Sequence, residues 1–289
     1  MVNTGELTRY WVESLPQRLF HLPNRLPYAA RHCCPEIQAV RISENGKPAT
    51  SSLTVVQDFM RTLGLAPLRL ENHEGPWATG VESIAAAIAQ IRQDLAPYYT
   101  GHGPPRQRSK QLVSTLLLSV FNEVTRQQQL QTPTVQLESY RTVSLPYHYH
   151  GTEYRLTCTV DHVLWCGLKS DLAISLVVTL KKSAMETRML SPLASMAMIH
   201  HARKRAGKSA VMYGLYSDGD NYHFMYLNDQ AEYSTISFMR LDERLPDIVR
   251  LVEHIMHEAY QAAGSGPWPM PMGGISASAL SGCTITSPT

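Results

Sequence analysis

The sequence predicts an α/β protein: a central mixed β-sheet flanked by helices, with a mostly helical segment ahead of it. Three observations lead there. Between residues 108 and 262 helical and strand periodicities alternate. The stretch 171–181 is almost continuously apolar, as a strand buried on both faces must be. The chain has 289 residues and is 44% hydrophobic, enough to cover such a sheet on both sides.

The elements follow in order. Prolines at 16, 23, 27 and 35 break any long early helix. Residues 52–63 and 81–95 read as helices, the second with Ile84, Ile88 and Ile91 at helical spacing and an end before Pro97. Gly101 to Pro105 reads as a hinge. This divides the chain into a helical subdomain (1–105), an α/β core (106–262) and a disordered Gly/Ser/Pro/Thr tail (263–289).

In the core, 108–128 is the strongest helix, with Leu112, Leu116, Leu117 and Val120 on one stripe and Glu123 following. Strands are expected at 135–144, 154–165 and 171–181, with a turn near His150-Gly151. A helix at 191–206, strands at 211–216 and 222–227, and an amphipathic helix at 242–262 complete it.

The charge balance is 26 Lys and Arg against 24 Asp and Glu, a net +2, and only 17% of residues are charged. An average soluble domain carries roughly 25%, so a disordered or wholly polycationic protein is excluded. No stretch resembles a membrane-spanning helix or a secretory leader. Five cysteines without a C-x-x-C pair read as free thiols, hence a cytoplasmic, reducing compartment and no structural metal.

Chemistry can be sought where polar residues interrupt the strands. Thr157, Thr159 and Asp161 share one face of the second strand, and Ser175, Val177, Thr179 and Lys181 share one face of the third. If these strands pair, Asp161 and Lys181 converge near one end of the sheet. A lysine at a strand end is as readily an edge residue whose ammonium reaches water. His200 follows Leu193, Met196 and Ala197 on an apolar stripe: a core histidine on that pattern, or a proton carrier near neutral pH. Arg203, Lys204, Arg205 and Lys208 form one basic cluster, and Arg106, Arg108 and Lys110 another. Cations at a helix C-terminus complement its dipole; those at the N-terminus oppose it and call more strongly for a polyanionic partner.

The order is a helix carrying Glu123, strands, Asp161, then Val-Val-Thr179-Leu-Lys181-Lys182, a helix, and strands. It resembles the PD-(D/E)XK nuclease-like superfamily in its fungal variety, over about residues 108–240. The segment Tyr213-Gly-Leu-Tyr-Ser-Asp218-Gly strengthens the resemblance and makes Asp218 a substrate-binding candidate. The resemblance implies Asp161 as first carboxylate, Lys181 as the lysine and Glu123 as a helix-borne acid. Thr179 stands where the second carboxylate belongs, and a hydroxyl is a weak ligand for hard cations.

That departure points away from ordinary metal-dependent hydrolysis. It points towards the branch of arginine-using cyclodipeptide synthases, which this sequence resembles as a reassigned nuclease fold. The resemblance then implies arginyl-tRNA and a second charged tRNA as partners, no cofactor, and secondary metabolism. Asp161 and Glu123 would orient or deprotonate the attacking amine or recognise the cationic arginyl group, Lys181 would stabilise negative charge in the transition state, and His200, like Asp218, would bind substrate. The basic clusters would follow the tRNA backbone. The alternatives are a catalytically degenerate nucleic-acid-binding module and a surviving metal-dependent nuclease.

Overall fold

A computed structural model describes residues 37–41, 53–67, 77, 85–99, 105–127, 135–166, 171–180 and 191–264. In chain order the elements are β1 (Ile37–Arg41), α1 (Leu53–Thr62), β2 (Ala66–Pro67), α2 (Ala85–Tyr99) and α3 (Pro105–Gln127). Then come β3 (Val135–Tyr149), β4 (Thr152–Cys166), β5 (Ile174–Leu180), α4 (Ser191–Arg205) and β6 (Met212–Ser217). The last are β7 (Tyr222–Leu227), β8 (Glu232–Phe238) and α5 (Leu241–Gly264).

All eight strands join one mixed sheet, seven of them along the path β1-β4-β5-β6-β7-β8-β2, with β3 on β4. β3 and β4 form a long hairpin closed by His150 and Gly151. Their φ values of 47° and 72° are those of a two-residue turn matched to strand twist. β3 occupies one edge of β4. The other edge is divided: residues 154–158 pair with β1 and residues 162–165 with β5. β5 and β6 run parallel, as a connection through a helix allows, and β2 runs parallel to β8; the remaining pairs are antiparallel.

Helices cover both faces. On one, Ile91 and Leu95 of α2, Leu116 and Val120 of α3, and Ile248 and Val252 of α5 pack on Leu164, Leu176, Val178, Leu215 and Phe224. On the other, Val55 and Phe59 of α1 and Leu193, Met196 and Ile199 of α4 pack on Cys158, Val163, Val177 and Met225. The stripe Leu112, Leu116, Leu117 and Val120 is fully buried, each leucine contributing about 1.5–3 kcal/mol by its removal from water.

Several expectations are corrected. Among the described residues before 105, strands not expected from sequence appear: β1 and β2 extend the common sheet, and α1 and α2 cover its two faces. Helix α2 runs through Pro97 to Tyr99, because Tyr98 and Tyr99 pack on the core beyond it. Strand β8 carries too weak an alternation to be read from sequence. Of the tail, only the residues up to Gly264 are described, and they continue α5.

Alternation also fails in two strands. In β5, Leu164 faces Leu176 but Trp165 faces Ile174, so Ser175 is an extra residue. Ile174 therefore packs on the α4 side, opposite Leu176 and Val178. In β4, Cys158 and Val160 pack on the α4 side, whereas His162 reaches Ser114 of α3 and Leu164 packs beside it. The face changes between residues 160 and 162, at Asp161. Tyr140, opposite in β3, has φ 56°.

The Tyr213–Gly219 segment owes its glycines to packing. A Cβ at Gly214 would collide with the Met196 sulfur of α4. One at Gly219, where φ is +94°, would lie 2.7 Å from the Ser109 Cα of α3. Gly219→Ala is therefore expected to cost about 2 kcal/mol or more, combining backbone strain with a clash against main chain. A urea denaturation midpoint equal to that of the unmodified protein would refute this account.

Candidate functional site

The elements meet at the end of β5. Beyond the pair His162–Val178, β4 leaves β5 for β1, and Asp161 stands at this fork. Its Oδ2 accepts the Leu180 N–H at 2.8 Å, so the carboxylate takes the place of a ladder partner. The β4–β5 ladder ends at His162–Val178, and Thr179 is the next residue of β5, adjoining the Leu180 whose N–H Asp161 accepts. Thr179 is 0% exposed, and its hydroxyl has no hydrogen-bond partner among the described residues. Lys181 lies outside the described residues.

Glu123 does not join this group. It sits on α3 nine residues beyond Ser114, the residue that touches His162, which puts it ~13 Å further along the helix. Its carboxylate accepts from Arg126 at 2.6 and 2.9 Å and from Gln127 at 3.0 Å, and the Arg126 hydrogen bonds hold its pKa below the usual value. It is an acid of the α3–α5 side, not a partner of Asp161.

Beside Asp161 the structure assembles a group that sequence reasoning did not single out. His162 is buried; Nδ1 lies 2.9 Å from Ser139 Oγ and Nε2 lies 3.1 Å from Ser114 Oγ. Burial, with a smaller contribution from the Lys110 charge, pushes its pKa down to about 4, so the ring is neutral at physiological pH. A neutral imidazole can donate to one serine and accept from the other. The low basicity suits it to joining α3 and β3 better than to drawing protons from a nucleophile. Next to Ser139, Tyr140 exposes 51% of its surface, and Lys110 Nζ lies 4.4 Å from the centre of its ring.

The other sequence candidates have structural partners. His200 is buried on α4 with Nε2 3.1 Å from the Asn228 carbonyl, and burial lowers its pKa. It ties α4 to the β7–β8 turn rather than to Asp161. Asp218 accepts from the Asn221 N–H at 2.8 Å and the Asp220 N–H at 3.2 Å, shaping the β6–β7 turn as an aspartate commonly does. Arg203 is 2% exposed and donates to three backbone carbonyls, which corrects its place in a surface cluster. Lys204 pairs with Asp229 at 3.4 Å, Arg205 is exposed, and Lys208 is half-buried. At the other cluster, Arg108 pairs with Asp220 at 3.6 Å and Lys110 is exposed; the Arg106 side chain lies outside the described residues.

No protein-family model matches the chain, and no curated protein is significantly similar to it. Among the described residues, no helix is long and apolar enough to cross a membrane.

Proposed function

We propose that the protein is an aminoacyl-tRNA-dependent cyclodipeptide synthase on a PD-(D/E)XK-like scaffold, with arginine as one of its two amino acids. The observation that carries the reading is the Asp161 carboxylate held by the Leu180 N–H at the end of β5, next in sequence to the buried Thr179. One carboxylate is fixed by a backbone N–H, and the residue before that N–H carries a neutral hydroxyl. A hard divalent cation prefers several carboxylate oxygens, whereas a substrate ammonium or guanidinium needs one well-oriented carboxylate. The order of elements adds support: α3, the meander β3-β4-β5, the crossover helix α4, and β6 parallel to β5.

The reaction needs no change of oxidation state. The amine of one aminoacyl group attacks the ester carbonyl of the other, and the tRNA 3′ oxygen leaves with a proton. The free amine of the resulting dipeptidyl ester then attacks its own ester carbonyl, closing the diketopiperazine ring and releasing the second tRNA, whose oxygen takes the proton. Asp161 would hold the cationic side chain or the attacking amine, and Lys181 would stabilise the oxyanion.

The test is reconstitution with arginyl-tRNA and a pool of other charged tRNAs, read by mass spectrometry. An arginine-containing diketopiperazine is expected. Asp161→Asn keeps an acceptor for the Leu180 N–H but loses the charge, and should lower product formation by about two orders of magnitude with an unchanged unfolding temperature. Folded protein that leaves charged tRNA intact and forms no diketopiperazine would overturn the reading in favour of a binding module. Magnesium-dependent cleavage of RNA or plasmid would overturn it in favour of a nuclease.

A further inference from the structure

Tyr140 is a bulky residue in a left-handed backbone conformation, with φ 56°. Such strain in a non-glycine residue persists only where the surroundings impose it, and it concentrates at binding and catalytic sites. Here the surroundings are specific. Ser139, the preceding residue, is bonded to His162, and His162 is bonded through its other nitrogen to Ser114. Lys110 lies four residues before Ser114, one turn away on the same face of α3. A single buried histidine therefore fixes β3 and α3 relative to each other, and with them Tyr140 and Lys110.

We infer that Tyr140 and Lys110 form a stacking platform for an unpaired nucleobase at the acceptor end of the tRNA. The inference rests on the charged-tRNA reading proposed above and deepens it. A half-exposed aromatic ring offers π-surface to any base, and the Lys110 ammonium held over the same ring supplies a charge for the adjoining phosphate. The position is the one such a platform needs. The pairs Ser139–His162 and Arg141–Val160 flank Tyr140, which places it opposite Asp161. A base stacked there would put the ester-bearing end of the strand at the fork where β4 leaves β5. Glu138, the nearest acid on β3, does not oppose it: its carboxylate accepts from Trp165 Nε1 at 2.9 Å and lies 3.7 Å from Arg141 Nη1.

The experiment measures binding of a short single-stranded RNA ending in C-C-A, and of whole tRNA, by fluorescence anisotropy. Tyr140→Ala should weaken both about tenfold, and Tyr140→Trp should bind within about threefold of the unmodified protein. Lys110→Gln should weaken binding and reduce the slope of its salt dependence by about one counterion. Tyr140→Gly separates binding from folding. Glycine accepts the backbone conformation, so the unfolding temperature should hold or rise while RNA binding falls. Unchanged RNA binding in Tyr140→Ala, with diketopiperazine still formed, would overturn the platform and leave the synthase reading standing. If the unmodified protein neither binds these RNAs nor forms product, the synthase reading fails and the platform with it.

Discussion

Arg203→Met is expected to destabilise the protein by about 3–5 kcal/mol, whereas Arg205→Ala, two residues away, should change stability by less than about 0.5 kcal/mol. The contrast follows from where the two charges end. The Arg203 guanidinium is buried and donates from Nε to Leu172 O at 2.8 Å, from Nη1 to Val211 O at 2.8 Å and from Nη2 to Ile174 O at 2.7 Å. It binds the last turn of α4 to the short 3-10 turn before β5 and to the approach to β6. Methionine restores the apolar stem but leaves those carbonyls without the fork that satisfies them, and buried unpaired acceptors are costly. Arg203→Lys should fail almost as badly, since a point-like ammonium cannot reproduce the planar fork. Urea denaturation decides the matter; equal midpoints for Arg203→Met and Arg205→Ala would show that the buried contacts contribute little.

The same residue shows where sequence reasoning loses its grip. Arg203, Lys204 and Arg205 are consecutive cations in the last turn of a helix, and composition alone makes them one cluster. Only the packing of α4 on β5 and β6 reveals that the first points inward. Most helices and strands of the core were legible because their apolar residues repeat at 3.6 or at 2, and each covers one face of the sheet. The hairpin turn at His150-Gly151 was legible from local chemistry. The strands β1, β2 and β8 were not. β1 and β2 are short, and their partners β4 and β8 lie far away in the chain; β8, paired with the adjoining β7, lacks a clear alternation.

The candidate site was legible in part. That β4 and β5 are neighbours was consistent with the order of elements, but the fork at Asp161 depends on β1 and was not legible. Parity read from sequence assumes one face throughout, whereas the face of β4 changes at Asp161 and an extra Ser175 moves Ile174 to the α4 side; Lys181, the other residue it invokes, lies outside the described residues. A change of face at one residue leaves no mark on composition. Nor does the φ of Tyr140, which nothing in the tripeptide Ser-Tyr-Arg announces. His162 stood next to Asp161 in the sequence, but its two serine partners come from other elements and only the fold brings them to it.

A buried acid on the opposite side of the molecule from α4 gives a second large effect. Glu253 of α5 is 1% exposed, its Oε1 lies 3.5 Å from His257 Nε2, and its Oε2 has no partner among the described residues. Burial, and then the charge of Glu123 on α3, raise its pKa from 4.5 to about 7, with Arg250 opposing. Burial and the neighbouring His254 lower the pKa of His257, which disfavours an imidazolium beside Glu253. A carboxyl whose folded pKa lies above its unfolded one contributes stability in full below about pH 4.5, and that contribution is lost as pH rises through about 7. Glu253→Gln removes the titration while keeping the shape. The stability of the variant minus that of the unmodified protein should therefore shift in favour of the variant by on the order of 2 kcal/mol between about pH 5 and pH 8.5. The steric and hydrogen-bonding cost of the amide is common to both pH values and cancels in this comparison. Denaturation curves at the two pH values measure the shift. A difference independent of pH would mean that Glu253 is ionised throughout, and a shift against the variant would make Glu253 and protonated His257 an ion pair.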